Sequence, residues 1–273
     1  MHSFRTLIVC VLCLVPAAVM AQNLAAVPAA NLGMPGQLFY QVKDSPKLSE
    51  INTLDWMRFN RPPPQPSVPY NRKQHYGPWI LRPHTGTCFN TRGLILKRES
   101  QKPTTVYPRD PCFVETGLWH DPYSDRPYTA AIQLQIDHVV PLKNSYISGA
   151  FRWNNLTRCA YANFMAGRHH LVPVDAGLNM SKGDSAPHAW MPPNRRFHCA
   201  YLAAWMEIKT VWKLMISEPE GEAIQQMVRQ LNCSPAAFRV PARTIAEQRA
   251  RIPEAVRECA EAPPPVYERA FSD

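Results

Sequence analysis

Six cysteines follow the first 21 residues of this chain, and they constrain its fold more than any other feature. An even number of cysteines predicts disulfides if the chain is exported, because thiols oxidise outside the cytosol. Zinc binding is the competing use, but none of the six lies in a C-x-x-C pair. The sequence leaves most of the pairing open, and we predict only Cys88–Cys112, since these two flank one continuous segment. The six positions are Cys88, Cys112, Cys159, Cys199, Cys233 and Cys259.

The N-terminal residues have the pattern of a secretory signal peptide. Arg5 gives a short basic start, an apolar run extends from Leu7 to Val19, and small residues precede a cleavage point after Ala21. The run is too short for a membrane span, although a retained anchor is the alternative. We therefore predict that residues 1–21 are removed and that the protein is exported, to the periplasm or the extracellular medium, with no stable membrane span.

Two proline-rich stretches divide the remaining chain. "RPPPQPSVP" (61–69) and "PPP" (263–265) should be extended and poor in regular structure. They predict a lead-in segment with a proline-rich linker over 22–69 and a main domain over 70–217. A C-terminal helical extension with a proline-containing tail is expected over 218–273.

The net charge of the chain limits the classes of partner that it favours. The chain carries a formal net charge of +9 at pH 7. A basic exported protein favours a polyanionic partner, such as nucleic acid, anionic lipid or a cell-wall polymer. Charge alone does not separate these from plain solubility, and no protein partner is deducible.

Turn-forming residues dominate 70–140, whereas apolar residues with helical spacing dominate the later part of the chain. The early region should contain short strands and loops, and 169–179 should be a short apolar strand followed by a turn. These patterns predict an α+β fold, with an irregular β-rich N-terminal part and flanking helices. The predicted helices are 148–167, 198–217, 218–231 and 242–259.

An acid and an imidazole stand side by side in the strand-like segment "AIQLQIDHVVPLKN" (131–144). Neighbouring strand residues point to opposite faces, so Asp137 and His138 cannot both face one core. A second strand and then Asn179, in "LNMSKGD", follow. The structural alternatives are a core histidine bonded to a backbone carbonyl, an aspartate that orients it, and an asparagine that caps a helix.

This order of residues resembles the HNH, or ββα-metal, endonucleases. Within them the chain is similar to the exported HNH family related to the C-terminal domain of GmrSD-type restriction enzymes. The matching pieces occur in order and span roughly 70–215. They are "YNRKQHYGPW" (70–79), "CFNTRGLILKR" (88–98), "GLWHDPYS" (117–124), "IDHVVPLKNSYISGA" (136–150), "LNMSKGDSAPHAWMPP" (178–193) and "CAYLAAWMEIK" (199–209).

The resemblance implies a ββα-metal core, stapled here by the predicted disulfides, and an endonuclease. We expect low sequence specificity, because no recognition helix is evident in the sequence. His138 would be the general base, since a neutral imidazole accepts a proton at neutral pH. Asp137 and Asn179 would offer oxygen ligands to Mg²⁺, for which Mn²⁺ could substitute. The expected substrate is DNA, with RNA as the second choice. The expected phosphate contacts are Lys182, Arg168 and Arg195.

Two other functions remain compatible with the residues. A nucleic-acid-binding protein that has lost catalysis would keep the fold and the basic charge. A basic envelope protein that binds wall polymers or lipid would share the charge and the export signal. The intact Asp137, His138 and Asn179 favour the enzyme over both.

Overall fold

Short strands alternate with helices along the chain, which is of mixed α and β class with three disulfides. The computed structural model describes residues 49–58, 65–82 and 86–263. The predicted signal peptide and most of the predicted lead-in lie outside these residues. None of the described helices is long and apolar enough to cross a membrane.

The described strands form small antiparallel sheets. One sheet pairs β1 with β7, a second has the order β2-β3-β4, and a third pairs β5 with β6. Except for β3, which has 12 residues, the strands are short because turn-forming residues interrupt the sequence, as predicted for the region before residue 140. Their bounds are β1 Glu50–Asn52, β2 Thr105–Tyr107, β3 Asp110–Asp121, β4 Arg126–Ala130, β5 Leu134–His138, β6 Leu171–Asp175 and β7 Arg239–Pro241.

Each of the four helical segments predicted after residue 148 contains a helix, but the bounds differ. The segment 148–167 contains the shorter α4, α6 ends at Val211 and not at 217, and the segment 242–259 is divided into α8 and α9. The turn predicted at the end of 169–179 is the start of the helix α5. An additional helix, α2, lies in the turn-rich region, where the Asn90 side chain accepts a hydrogen bond from Gly93 N and caps it. The helices are α1 Arg72–His75, α2 Thr91–Glu99, α3 Leu142–Ile147, α4 Asn155–Ala162, α5 Ala176–Lys182, α6 His198–Val211, α7 Glu218–Gln230, α8 Ala242–Ala250 and α9 Ile252–Glu261.

The pair β5–β6 leads directly into α5. Leu134 lies opposite Asp175 and His138 lies opposite Leu171 in the antiparallel register. The Asp175 side chain then accepts a hydrogen bond from Leu178 N and caps α5. α3 and α4 fill the connection between the two strands. The chain therefore forms two strands followed by a helix, with a helical insertion between the strands.

Two hydrophobic clusters meet at the end of β5. Trp79, Trp119 and Leu134 belong to the smaller cluster, between α2, β3 and β5. Val139 and Val140, which follow β5, belong to the larger cluster around α6. The larger cluster includes buried residues of the predicted C-terminal extension, which therefore shares one core with the main domain. These residues are Ile224, Phe238, Val240, Ile245, Ile252 and Ala255.

Residues of the predicted lead-in also join this core. β1 pairs with β7 of the C-terminal region. The Trp56 ring is buried in the larger cluster, and its Nε1 donates to Leu214 O over 2.8 Å. Segments from both ends of the described chain are thus packed together.

All six cysteines form disulfides. The predicted bridge Cys88–Cys112 is confirmed, and the other two are Cys159–Cys259 and Cys199–Cys233. Cys159–Cys259 joins α4 to α9, and Cys199–Cys233 joins α6 to the segment after α7. The zinc alternative is wrong for these cysteines, since none keeps a thiolate to bind metal.

Candidate active site

A cleft of about 340 Å³ opens at the end of β5. Asp137 and His138 line it from β5, and Asn179 lines it from α5. Tyr70 and Arg72 add to its wall at the beginning of α1. The structure therefore brings the three predicted catalytic and metal-binding residues to one cleft.

The His138 ring is held from three sides. It stacks on Trp79 with ring centroids 5.2 Å apart and planes 1° apart, and Tyr161 lies nearly parallel at 6.5 Å. His138 Nε2 lies 2.9 Å from Ala162 O. A carbonyl can only accept, so Nε2 donates and Nδ1 carries the lone pair of the neutral ring. The carbonyl bond of the structural alternative is thus present, and the residue, which is 8% exposed, also lines the cleft.

Burial keeps this ring neutral. Burial, and next the neighbouring His170, lower the pKa of His138 well below its ordinary 6.5. His170 is itself buried, donates from Nε2 to Tyr161 O over 2.7 Å, and has its pKa lowered to about 4. An imidazole that is neutral at pH 7 and fixed in one tautomer can accept a proton at Nδ1.

Asp137 is buried, and both of its carboxylate oxygens accept hydrogen bonds. The Lys182 ammonium lies 2.7 Å and 2.8 Å from the two carboxylate oxygens, and Tyr123 Oη donates to Oδ2 over 2.5 Å. Lys182 Nζ also donates to His138 O over 2.8 Å. Burial lowers the pKa of Lys182, and the Asp137 carboxylate opposes that shift. One ammonium therefore ties the last two residues of β5 to α5.

The predicted phosphate contacts are placed elsewhere. Lys182 is 0% exposed and bonded to Asp137, so its ammonium does not face the cleft as a phosphate ligand. Arg168 is exposed but lines a different cavity, with His169 and Glu207. Arg195 is exposed and does not line the cleft. The sequence could not predict these positions, because spacing along the chain does not reveal which cations fold towards a carboxylate and which stay in solvent.

Asn179 lies inside α5 and not at its cap. Its Nδ2 donates to Gln135 Oε1 over 2.8 Å, which leaves Oδ1 as an acceptor. Asp175 caps the helix instead, so the interpretation of Asn179 as a helix cap is wrong. Gln135 and Asp137 point to the same face of β5, towards α5, as alternate strand residues must.

Two side chains of the site were not predicted from the sequence. Trp79 forms one wall of the His138 ring, and Tyr123 donates to Asp137. Burial and next the Asp137 carboxylate raise the pKa of Tyr123 well above its ordinary value, so its hydroxyl keeps the proton that it donates. Both lie in the pieces "YNRKQHYGPW" and "GLWHDPYS", which carried the resemblance but no assigned role.

The side chains of the cleft limit which metal ion it could bind. Among the residues that the structure describes, no group of three or more His, Cys, Asp and Glu side chains could hold a metal ion. Mg²⁺ needs fewer, because it keeps several waters and takes one or two protein oxygens. Asp137 and the Oδ1 of Asn179 offer oxygens of that kind at one cleft. Lys182 already partly neutralises the carboxylate, so we expect the ion to be held weakly.

The comparisons with known proteins identify the family. The model of the GmrSD restriction endonucleases, C-terminal domain, matches residues 91–227, half of the chain. The chain belongs to this GmrSD C-terminal domain family. Asp137, His138, Asn179 and Lys182 all lie within the matched residues, whereas Arg72 precedes them.

The chain is also similar to a protein named as secreted. An uncharacterized secreted protein of Arthroderma benhamiae is 35% identical over 166 residues, which are 61% of this chain and 78% of the relative. No solved structure matches the chain. The relative is named as secreted, and the three disulfides of this chain are the chemistry of an oxidising compartment.

Proposed function

We propose that the protein is an exported, metal-dependent endonuclease of the HNH class that hydrolyses phosphodiester bonds in DNA with low sequence specificity. Family membership and the basic charge support this function. The observation that carries it is His138, whose Nε2 is bonded to Ala162 O and which lines the same cleft as Asp137 and Asn179. The disulfides and the secreted relative support export.

His138 would activate the attacking water. Nδ1 takes a proton from the water as its oxygen bonds to phosphorus, and the bond from phosphorus to the 3′ oxygen breaks. The products are a 5′-phosphate and a 3′-hydroxyl, whose proton comes from solvent. A positioned general base contributes about 10²–10⁴-fold to such a rate. The Trp79 stack and the Ala162 carbonyl hold the ring so that no reorientation precedes proton transfer.

Asp137 and Asn179 would hold the divalent ion, with Mg²⁺ proposed and Mn²⁺ as the substitute. When bound, the ion stabilises negative charge on the phosphate and on the leaving oxygen. Lys182 and Tyr123 keep the Asp137 carboxylate in one orientation. Gln135 does the same for the Asn179 amide, whose Oδ1 then faces away from its bonded Nδ2.

Plasmid nicking by the His138→Ala variant tests this function. With Mg²⁺ present, we expect the variant to lose at least about 100-fold in nicking rate, because the base is gone. Circular dichroism should show an unchanged fold. His188→Ala is the matched control, since His188 is exposed and does not line the cleft. Chelation of the wild-type protein should abolish cutting.

Other outcomes would point to other functions. Cutting at the wild-type rate by His138→Ala would refute the base. DNA binding without any cutting by the wild-type protein would indicate a nucleic-acid-binding protein that has lost catalysis. Retention on peptidoglycan or anionic vesicles, with no binding to DNA, would indicate the envelope protein.

A further inference from the structure

Part of the cleft wall comes from residues that precede the matched family region. Arg72 is the first residue of α1 and lines the cleft together with Asp137 and His138. The sequence alone assigned Arg72 no role, although it lies in the piece "YNRKQHYGPW". Its position is of interest because the predicted phosphate contacts do not line this cleft.

The backbone at Arg72 is fixed by its surroundings. Asn71 Oδ1 accepts from Gln74 N over 3.0 Å, and Asn71 N donates to His75 Nδ1 over 3.0 Å. The His75 ring stacks on Tyr146 of α3 with centroids 4.6 Å apart and planes 14° apart. The short helix α1 is therefore anchored to the insertion between β5 and β6, and it presents Arg72 at a set place.

Two lysines near the cleft pair with carboxylates. Lys143 lines the cleft, and its ammonium pairs with Asp184. Lys182 pairs with Asp137 below the surface. Arg72 lines the same cleft as Asp137, His138 and Asn179, so a phosphate bound there would lie next to the wall that Arg72 forms at the beginning of α1.

We propose that Arg72 binds the phosphate that is cut, through paired hydrogen bonds from its guanidinium to the phosphate oxygens. A guanidinium offers a planar fork that matches two phosphate oxygens, and it keeps its charge at every working pH. Such a contact strengthens as the phosphate gains charge in the transition state. The proposal rests on the proposed phosphodiesterase function and gives it the phosphate ligand that Lys182 cannot supply.

The test compares Arg72→Gln and Arg72→Lys with Lys73→Gln. Lys73 is exposed, is next to Arg72 in α1 and does not line the cleft, so it controls for charge near the site. We expect Arg72→Gln to lower kcat/KM on plasmid DNA and on bis(p-nitrophenyl) phosphate by about 10- to 100-fold. Arg72→Lys should recover part of the loss, because it restores charge without the fork. Lys73→Gln should stay within about 2-fold, as an exposed residue away from the phosphate that is cut.

A binding measurement separates a phosphate contact from a structural role. With chelator present, the slope of log affinity for a DNA duplex against log salt should fall by about one for Arg72→Gln. A residue that only supports the fold would leave the slope unchanged. If Arg72→Gln does not fold, the small-substrate rate of Arg72→Lys decides: a fall in kcat/KM supports the guanidinium contact, and a wild-type value overturns it.

Different experimental results would contradict the Arg72 contact and the proposed nuclease function. Wild-type cutting that is lost in His138→Ala but retained in Arg72→Gln would overturn the Arg72 contact and leave the nuclease intact. Absence of cutting by the wild-type protein would overturn the function, and the Arg72 contact with it.

Discussion

Replacing Lys182 with methionine should destabilise the protein far more than any loss of surface charge. The side chain of Lys182 is 0% exposed and that of Asp137 is 5% exposed, with Nζ 2.7 Å from Oδ1. The substitution leaves a buried carboxylate with Tyr123 as its remaining donor, and it removes the bond to His138 O. Breaking a buried ion pair by removing one partner costs about 3–5 kcal/mol, so we expect the free energy of unfolding to fall by that amount.

Denaturant unfolding of the oxidised protein at pH 7 measures this loss, with chelator present to exclude bound metal. Lys143→Met is the matched control, because Lys143 pairs with Asp184 while both side chains are about half exposed, at 51% and 49%. An exposed pair contributes roughly 0–1 kcal/mol. The dependence of the free energy on denaturant should keep the same slope in all variants, since the surface exposed on unfolding does not change.

A double-mutant cycle with Asp137→Asn isolates the pair. Asp137→Asn alone leaves the Lys182 ammonium buried, so it should also be costly, and the double variant should cost less than the sum by roughly 2 kcal/mol or more. Mg²⁺ should restore part of the stability of Lys182→Met but not of the double variant, because a cation then takes the place of the ammonium beside the carboxylate. If Lys182→Met is as mild as Lys143→Met, the buried pair does not exist as described.

Two further predictions concern stability at acid pH and the disulfide at α4. The pKa of His170 is about 4 in the folded protein and 6.5 ordinarily, so its contribution of about 3 kcal/mol is complete above pH 6.5 and is lost as the pH falls towards 4. In a pH series of denaturant unfolding, His170→Gln should lose less stability over that window than the wild type, and equal losses would contradict the assignment. The bridge Cys159–Cys259 closes a loop of 100 residues, so replacing both cysteines with serine should cost about 3–5 kcal/mol in unfolding free energy. The same change should slow nicking, because α4 carries the Ala162 carbonyl that holds His138, and an unchanged rate would show that the bridge does not support the site.

The periodic parts of the fold were predictable, and the irregular parts were less so. The apolar stripe of 198–217 predicted α6, and the turn-rich region predicted short strands. The break between α8 and α9 is marked in the sequence by Pro253, which lies in the first turn of α9. The helical pattern of 242–259 obscured this signal. The helix α2 was missed because its local signals compete with the surrounding turn formers, and burial of Ile95 and Leu96 decides in its favour.

The candidate site, like the fold, was predictable from the sequence only in part. Asp137, His138 and Asn179 were identified from residue type and order, and the structure places all three at one cleft. Their roles as base and metal ligands remain predictions. The Ala162 carbonyl could not have been predicted, because a backbone oxygen has no signature in the sequence. Lys182 was assigned to phosphate because its distance from Asp137, 45 residues along the chain, hides the pairing.

Residue chemistry and local spacing alone determined which groups can accept protons, offer oxygens to a metal or form disulfides. They also predicted the bridge Cys88–Cys112, whose cysteines are 24 residues apart. Only the tertiary structure decided the pairing of Cys159 with Cys259, the burial of Lys182 against Asp137, and the position of Arg72 at the cleft. The physical reason is that charge state and bonding depend on desolvation and on neighbours from distant segments, and these are set when the whole core packs.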